Sequence, residues 1–199
     1  MKLTLKRILF YVCSFTWGGL MTFVGLLAIL FTLPFGKFHV YHGRLYKRIG
    51  KHWGGVELGC FFFCDETAGE HTLAHEAGHG LQNCLWGPLL PFVVCAPSAI
   101  RYWIFNQKDY EGKKTFVSVL MSIVFMVGAS TILIPILTMN YWWFIIPAVI
   151  LIYGCILSYW LFAIELPKHK ERPYPQYDDA WFEGQATSWG LKYVATDKI

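Results

Sequence analysis

Charge is what this chain has least of. Asp, Glu, Lys and Arg make up 15% of its 199 residues, against about 25% in soluble domains, while 55% of residues are hydrophobic and mean hydropathy is +0.41. So little charge excludes a disordered chain and a coiled coil, and points to contact with a bilayer. No block of one sign stands out: 17 basic residues against 13 acidic ones give a net charge of +4, and the basic ones lie beside apolar runs. They read as membrane-flanking charge, and no nucleic-acid partner is expected. Paired cysteines are also missing. Cys13 and Cys155 fall inside apolar runs, and Cys60 and Cys64, four apart, lack the second pair that would complete a zinc ribbon. With Cys84 and Cys95, all six are expected to be reduced thiols that pack as small hydrophobes. There is no internal repeat and no low-complexity tract.

What is present is a series of apolar runs. Residues 8–35 contain one, charge-free apart from its borders, and about 20 such residues suffice to cross the hydrocarbon core. Lys2, Lys6 and Arg7 before it resemble the start of a signal peptide, but the run is long for one, and Leu33-Pro34-Phe35 is a poor cleavage site. A membrane anchor is the expectation. Residues 115–137 and 141–166 form two further runs, separated only by Thr138-Met139-Asn140, which predicts a helical hairpin with Trp142 and Trp143 in the interfacial belt. Residues 80–105 are apolar too, but Pro88, Pro91 and Pro97 each remove a helical hydrogen bond, so a bent, membrane-associated segment is expected there. Two polar islands remain. In residues 36–79, short alternating stretches at 37–41, 44–48 and 56–63 predict a sheet of two or three strands, followed by a helix from about Glu66–Thr67. Residues 167–199 open with Pro167, Pro173 and Pro175 and turn helical from about Asp178. The chain is thus expected to be a mainly α membrane protein with a small β-sheet. It would form a single integral-membrane domain over 1–199, with about three transmembrane helices and a proline-bent segment.

The chemistry is concentrated in His71-Thr-Leu-Ala-His75-Glu76-Ala-Gly-His79. On a 3.6-residue helix His75 and His79 share a face, and Glu76 lies about 100° further round, within reach of a metal-bound water. This is the HExxH pattern, in which two imidazoles hold Zn²⁺ and the glutamate is the general base. A catalytic zinc needs a third protein ligand and an open position. The tail supplies Glu183 in Trp-Phe-Glu183-Gly-Gln-Ala-Thr187, with Glu183 and Thr187 on one helical face. Burying a carboxylate among Trp181, Phe182 and Trp189 is costly unless it is paired or metal-bound. Zincins also carry an edge strand beside the active-site helix, on which an extended substrate pairs. The stretch holding Val56, Leu58 and Cys60 sits where that strand should be.

HEAGH followed by a distant E-x-x-A resembles the membrane-embedded gluzincins, the group of the CAAX prenyl endopeptidase and the bacterial heat-shock membrane metallopeptidase. It is most similar to small bacterial membrane proteins of that type, at Leu58-Gly59, His75–His79 with Gln82, Gly87-Pro88-Leu89, Pro97-Ser98 and Glu183-x-x-Ala186 with Gly190. The resemblance covers about half of the chain. It implies a zinc metalloprotease acting on a peptide or membrane-protein substrate at the bilayer, in a bacterial inner membrane. One position departs from it: the family has Asp where this chain has Thr187, and that Asp accepts a hydrogen bond from a zinc-ligating His. Thr187 itself, Asp178 or Asp179 is expected to take its place.

Other readings stay open at this point. The histidine stripe, with His71 as an extra member, would also suit a non-proteolytic metal-binding or transport protein, and Thr187 would suit an inactive scaffold. Tyr177 and Tyr193 are candidates to stabilise an oxyanion. If Glu183 meets the histidines, residues 36–114 and 167–199 share one membrane side. That side carries Lys37, Arg44, Lys47, Arg48, Lys51, Arg101, Lys108, Lys113, Lys114, Lys168, Lys170 and Arg172, which predicts a cytoplasmic site, whereas the basic residues ahead of the first run argue the reverse.

Overall fold

The computed structural model describes residues 4–171 and 175–197, so Lys2, Arg172 and Pro173 lie outside the described residues. Helices dominate, with one small sheet, and the chain divides into two compact units, residues 1–96 with 177–199 and residues 97–176.

The first unit opens with α1 (Leu5–Phe15) and α2 (Gly19–Phe31), whose axes differ by 88°. The run expected as one straight anchor is therefore broken at Thr16-Trp17-Gly18. Thr16 turns its hydroxyl back to Val12 O (2.7 Å), and glycines at 18 and 19 weaken helix continuation, which a count of apolar residues does not register.

Four strands follow: β1 (Phe38–Tyr41), β2 (Arg44–Arg48), β3 (Gly55–Leu58) and β4 (Phe61–Cys64), in the order β1-β2-β4-β3. β1/β2 and β3/β4 are antiparallel, β2 and β4 run parallel, and β3 is an edge. The stretch 56–63, read as one strand, is a hairpin folded at Gly59, whose φ of +80° favours glycine. Tyr46 stacks on Phe62 at 4.7 Å, and both join the core with Leu73, Ala74 and Ala77.

The next helix, α3 (Glu70–Trp86), starts later than expected because Asp65 organises the preceding turn. Its carboxylate accepts from Thr67 N (2.7 Å), Thr67 Oγ1 (2.6 Å), Gly54 N (2.9 Å) and Trp53 N (3.2 Å), satisfying locally the donors a helix would use. The Thr67 hydroxyl and these amides hold its pKa down, to about 2. After α3 the chain turns by 115° between Glu70–Leu89 and Pro91–Phe105, the bend expected from Pro88 and Pro91.

The C-terminal helix of this unit (Trp181–Asp197, α9 in chain order) packs against α3 with backbones in contact. A Cβ at Gly78 would overlap Ala186 O, and one at Gly190 would overlap Ala74 O. Glycine inside a helix costs about 1 kcal/mol relative to alanine, and here it permits the close approach that the site needs.

The second unit contains α4 (Ala96–Phe105) from Pro97 onward, α5 (Tyr110–Thr131), α6 (Leu133–Thr138), α7 (Ile145–Tyr159) and α8 (Leu166–Glu171). Tyr110–Thr138 and Tyr141–Glu171, at 29 and 31 residues, are long and apolar enough to cross a membrane. Ile104, Val117, Met121 and Leu157 form their common core, in which the Arg101 guanidinium donates to Glu165 Oε1 with both side chains fully buried. Met139, at φ +50°, and the Asn140 side chain, which accepts from Trp142 N, make the turn of the hairpin.

Candidate metal centre

Helix α3 puts His75 and His79 one turn apart, and α9 crosses it with Glu183 directed at both. The two Nε2 atoms lie 3.0 Å apart, and Glu183 Oε2 lies 3.2 Å from each. Glu183 is fully buried and the imidazoles nearly so.

The other ring nitrogens are engaged. Gln82 donates through Nε2 to Phe182 O (2.7 Å) and Gln185 Oε1 (3.0 Å), which fixes its amide and leaves Oε1 to accept from His79 Nδ1–H at 2.8 Å. Thr187 Oγ1 donates to Asp178 Oδ1 (3.0 Å) and so accepts from His75 Nδ1–H at 2.8 Å. With protons on both Nδ1 atoms, both Nε2 lone pairs face the Glu183 oxygen. Three acceptor atoms at this separation repel one another unless positive charge lies between them. Burial opposes charge on His79, but its hydrogen bond to Glu183 and the nearby carboxylates outweigh that and raise the ring to about 9. Tyr177 donates to Glu183 Oε1 (3.1 Å), which leaves Oε2 for the histidines.

This donor set fits zinc. A tetrahedral ion with ligands at about 2.0–2.1 Å sets ligand atoms ~3.3 Å apart, close to the observed 3.0–3.2 Å, and two neutral imidazoles with one carboxylate are a zinc set.

Glu76 sits beside the triad, against the start of the edge strand. A Cβ at Gly55 would meet its Oε1 at 2.5 Å, so a larger residue there would displace the Glu76 side chain. Its Oε2 is buried without a hydrogen-bond partner among the described residues. Burial raises its pKa, with the two imidazoles pulling the other way, so the carboxylate is a stronger proton acceptor than a solvated one.

Comparisons with protein-family models, curated proteins and solved structures return no match. The site is therefore read from its own residues.

The remaining candidates divide. Thr187 and Asp178 stand on His75, and Asp179 is exposed in the turn before the helix. His71 is exposed one turn earlier and is not part of the triad. Tyr193 is engaged elsewhere than at the triad: its hydroxyl donates to His42 O (3.3 Å) and its ring lies 4.8 Å from the Arg44 guanidinium. Of the edge-strand residues, Val56 is exposed, Leu58 is half-buried with α2 against its carbonyl at Gly25, and Cys60 lies buried in the turn after the strand.

Sequence reasoning missed the layer beneath α3. Arg44 is buried, donates to Ala77 O between the two histidines, and holds its guanidinium 4.0 Å from the centre of the Phe10 ring. Glu57, also buried, points inward from the edge strand; burial raises its pKa well above the usual carboxylate range, offset in part by His79 and Arg44. The available signal was their alternation: Arg44 and Glu57 occupy inward positions of their strands, where a charged residue is rarely placed without a partner.

Proposed function

We propose that this chain is a zinc-dependent peptidase of the membrane surface. The observation that carries the reading is the convergence of His75 Nε2, His79 Nε2 and Glu183 Oε2 beside a buried Glu76 that itself lies against a sheet edge. His75, His79 and Glu183 would hold the ion. Zinc bound there supplies Lewis acidity, which polarises the scissile carbonyl and the attacking water. Glu76 takes the proton of that water and returns it to the leaving amine nitrogen. Half-buried Gly55 and exposed Val56 form the start of the edge strand, and an extended peptide pairing there brings its backbone past Glu76. Gln82 and the Thr187–Asp178 pair hold the imidazoles in the tautomer that leaves Nε2 for the metal. Lys37, Arg48 and Lys51, in the same unit as the site and not buried, favour a cytoplasmic face of a bacterial inner membrane. The substrate class is a peptide or membrane-protein segment at or beside the bilayer surface.

Elemental analysis of the full chain purified in detergent without chelator should give one zinc per chain. Protein that holds no zinc and takes up none on reconstitution would sink the reading.

A second expectation concerns the threonine that replaces an aspartate. Thr187→Val removes both the acceptor for His75 and the link to Asp178. It should lower zinc affinity roughly 10–100-fold in competition with a chelating dye, while Thr187→Ser keeps most of it. Parental affinity in the valine variant would show that the relay does not position His75.

A further inference from the structure

The broken helix pair at the N-terminus carries information that its hydropathy does not. α1 has 11 residues and α2 has 13, so they measure about 16 Å and 20 Å, and neither alone crosses a hydrocarbon core of about 30 Å. Their outer ends are both fastened to the same part of the sheet. Arg7 lies against Gly43, where a Cβ would meet its Nε at 2.9 Å, and Tyr11 donates to Gly43 O. At the other end Lys47 donates to Thr32 O, just past α2. Gly43 and Lys47 are four residues apart, so both legs are held by one strand and the turn before it.

The apex, by contrast, is tied to the far end of α3. Trp17 Nε1 donates to Leu85 O (3.2 Å), Asn83 Nδ2 donates to Gly18 O (3.3 Å), and the Trp17 ring covers Gly87. Large apolar side chains crowd this end uncovered: Phe15, Trp17, Leu20, Phe23, Leu89 and Phe92 are each 50–61% exposed. Lys6 and Lys37, also exposed, stand at the two outer ends.

We infer that α1 and α2 form a re-entrant wedge that enters one leaflet of an anionic phospholipid bilayer and leaves by the same side. With the 88° bend pointing inward, each leg leans about 45° from the normal and the apex reaches ~12–14 Å, roughly one leaflet. Lys6 and Lys37 then lie at head-group level, where a basic residue is attracted to anionic lipid. Lys6 and Arg7 then share one side of the membrane with the sheet, so they no longer oppose the basic residues around it. The inference concerns the membrane partner and holds whether or not the metal centre is a peptidase.

The test uses the full chain in sealed membrane vesicles of both orientations. Lys6→Cys and Lys37→Cys, each scored above the labelling of the parent's own cysteines, should react with a membrane-impermeant maleimide from the same side. Reaction from opposite sides would establish a crossing and overturn the inference. Nitroxides on Phe15→Cys and Leu20→Cys, in vesicles of phosphatidylcholine and phosphatidylglycerol, should lose collisions with a water-soluble nickel chelate and keep them with oxygen. A nickel accessibility equal to that of a nitroxide on Lys37→Cys would place the apex in water and equally overturn it. All four side chains are exposed, so none of these changes disturbs the core.

Discussion

Glu76→Gln should retain zinc as the parent does and lose peptide hydrolysis by about 10²–10⁴-fold, the range general-base catalysis contributes. The two halves of that result come from different parts of the geometry. Glutamine keeps the volume that packs against Gly55, and the ligand atoms belong to His75, His79 and Glu183, so nothing in the metal set changes. What disappears is a carboxylate whose Oε2 is buried without a partner and whose proton affinity burial has raised. An amide cannot take a proton from water at neutral pH. The comparison requires zinc content and turnover of a quenched peptide on the same proteoliposome preparation. Equal turnover by the variant would turn the reading towards a metal-binding protein without hydrolytic function.

Removing Glu183 should act on the metal itself. Glu183→Ala takes away the only carboxylate of the triad and leaves two imidazoles one turn apart on α3. Loss of an outer hydrogen-bonding partner costs roughly 10–100-fold in affinity, and loss of a direct ligand should exceed that. Chelator competition should therefore show zinc affinity more than about 100-fold weaker than in the parent. Glu183 is also fully buried, so a change in folding has to be separated from a change in coordination. Far-ultraviolet circular dichroism should keep its helical signal, because the α3–α9 contact runs through Gly78, Ala186 and Gly190 rather than through this side chain. Parental affinity with an intact helical signal would refute the ligand assignment.

Much of this was written in local sequence. The i, i+4 histidines need only helical geometry, and Glu183 follows from a zinc's need for a third ligand together with the cost of burying a carboxylate among aromatics. The proline-bent segment was legible for the same reason, since a missing backbone N–H is a local fact. Other features depend on partners far along the chain. Apolar content cannot separate one straight helix from two at 88°: Thr16, Gly18 and Gly19 weaken the helix locally, and the two legs are held by β2 and the turn before it through Arg7, Tyr11 and Thr32. Gly59 becomes a turn only once β3 has β4 to fold onto. Tyr177 and Tyr193 looked equivalent as tyrosines near the same motif. One lies in the turn before α9, beside Glu183, and the other is about three helical turns into α9, on the face that meets Arg44. The Thr187–Asp178 pair spans a helix start, where neither periodicity nor spacing specifies the meeting.

The close contact of α3 with α9 also fixes an order of events during synthesis. His75 and His79 are made about a hundred residues before Glu183, which at ~5–20 residues per second is a delay of about 5–20 s. Throughout that interval the glycine-lined face of α3 lacks the helix that covers it, and the two imidazoles lack Glu183 and the Thr187 hydroxyl. The nascent chain therefore carries a half-built site. The triad closes only after the hairpin of Tyr110–Thr138 and Tyr141–Glu171 has been translated and α9 has docked.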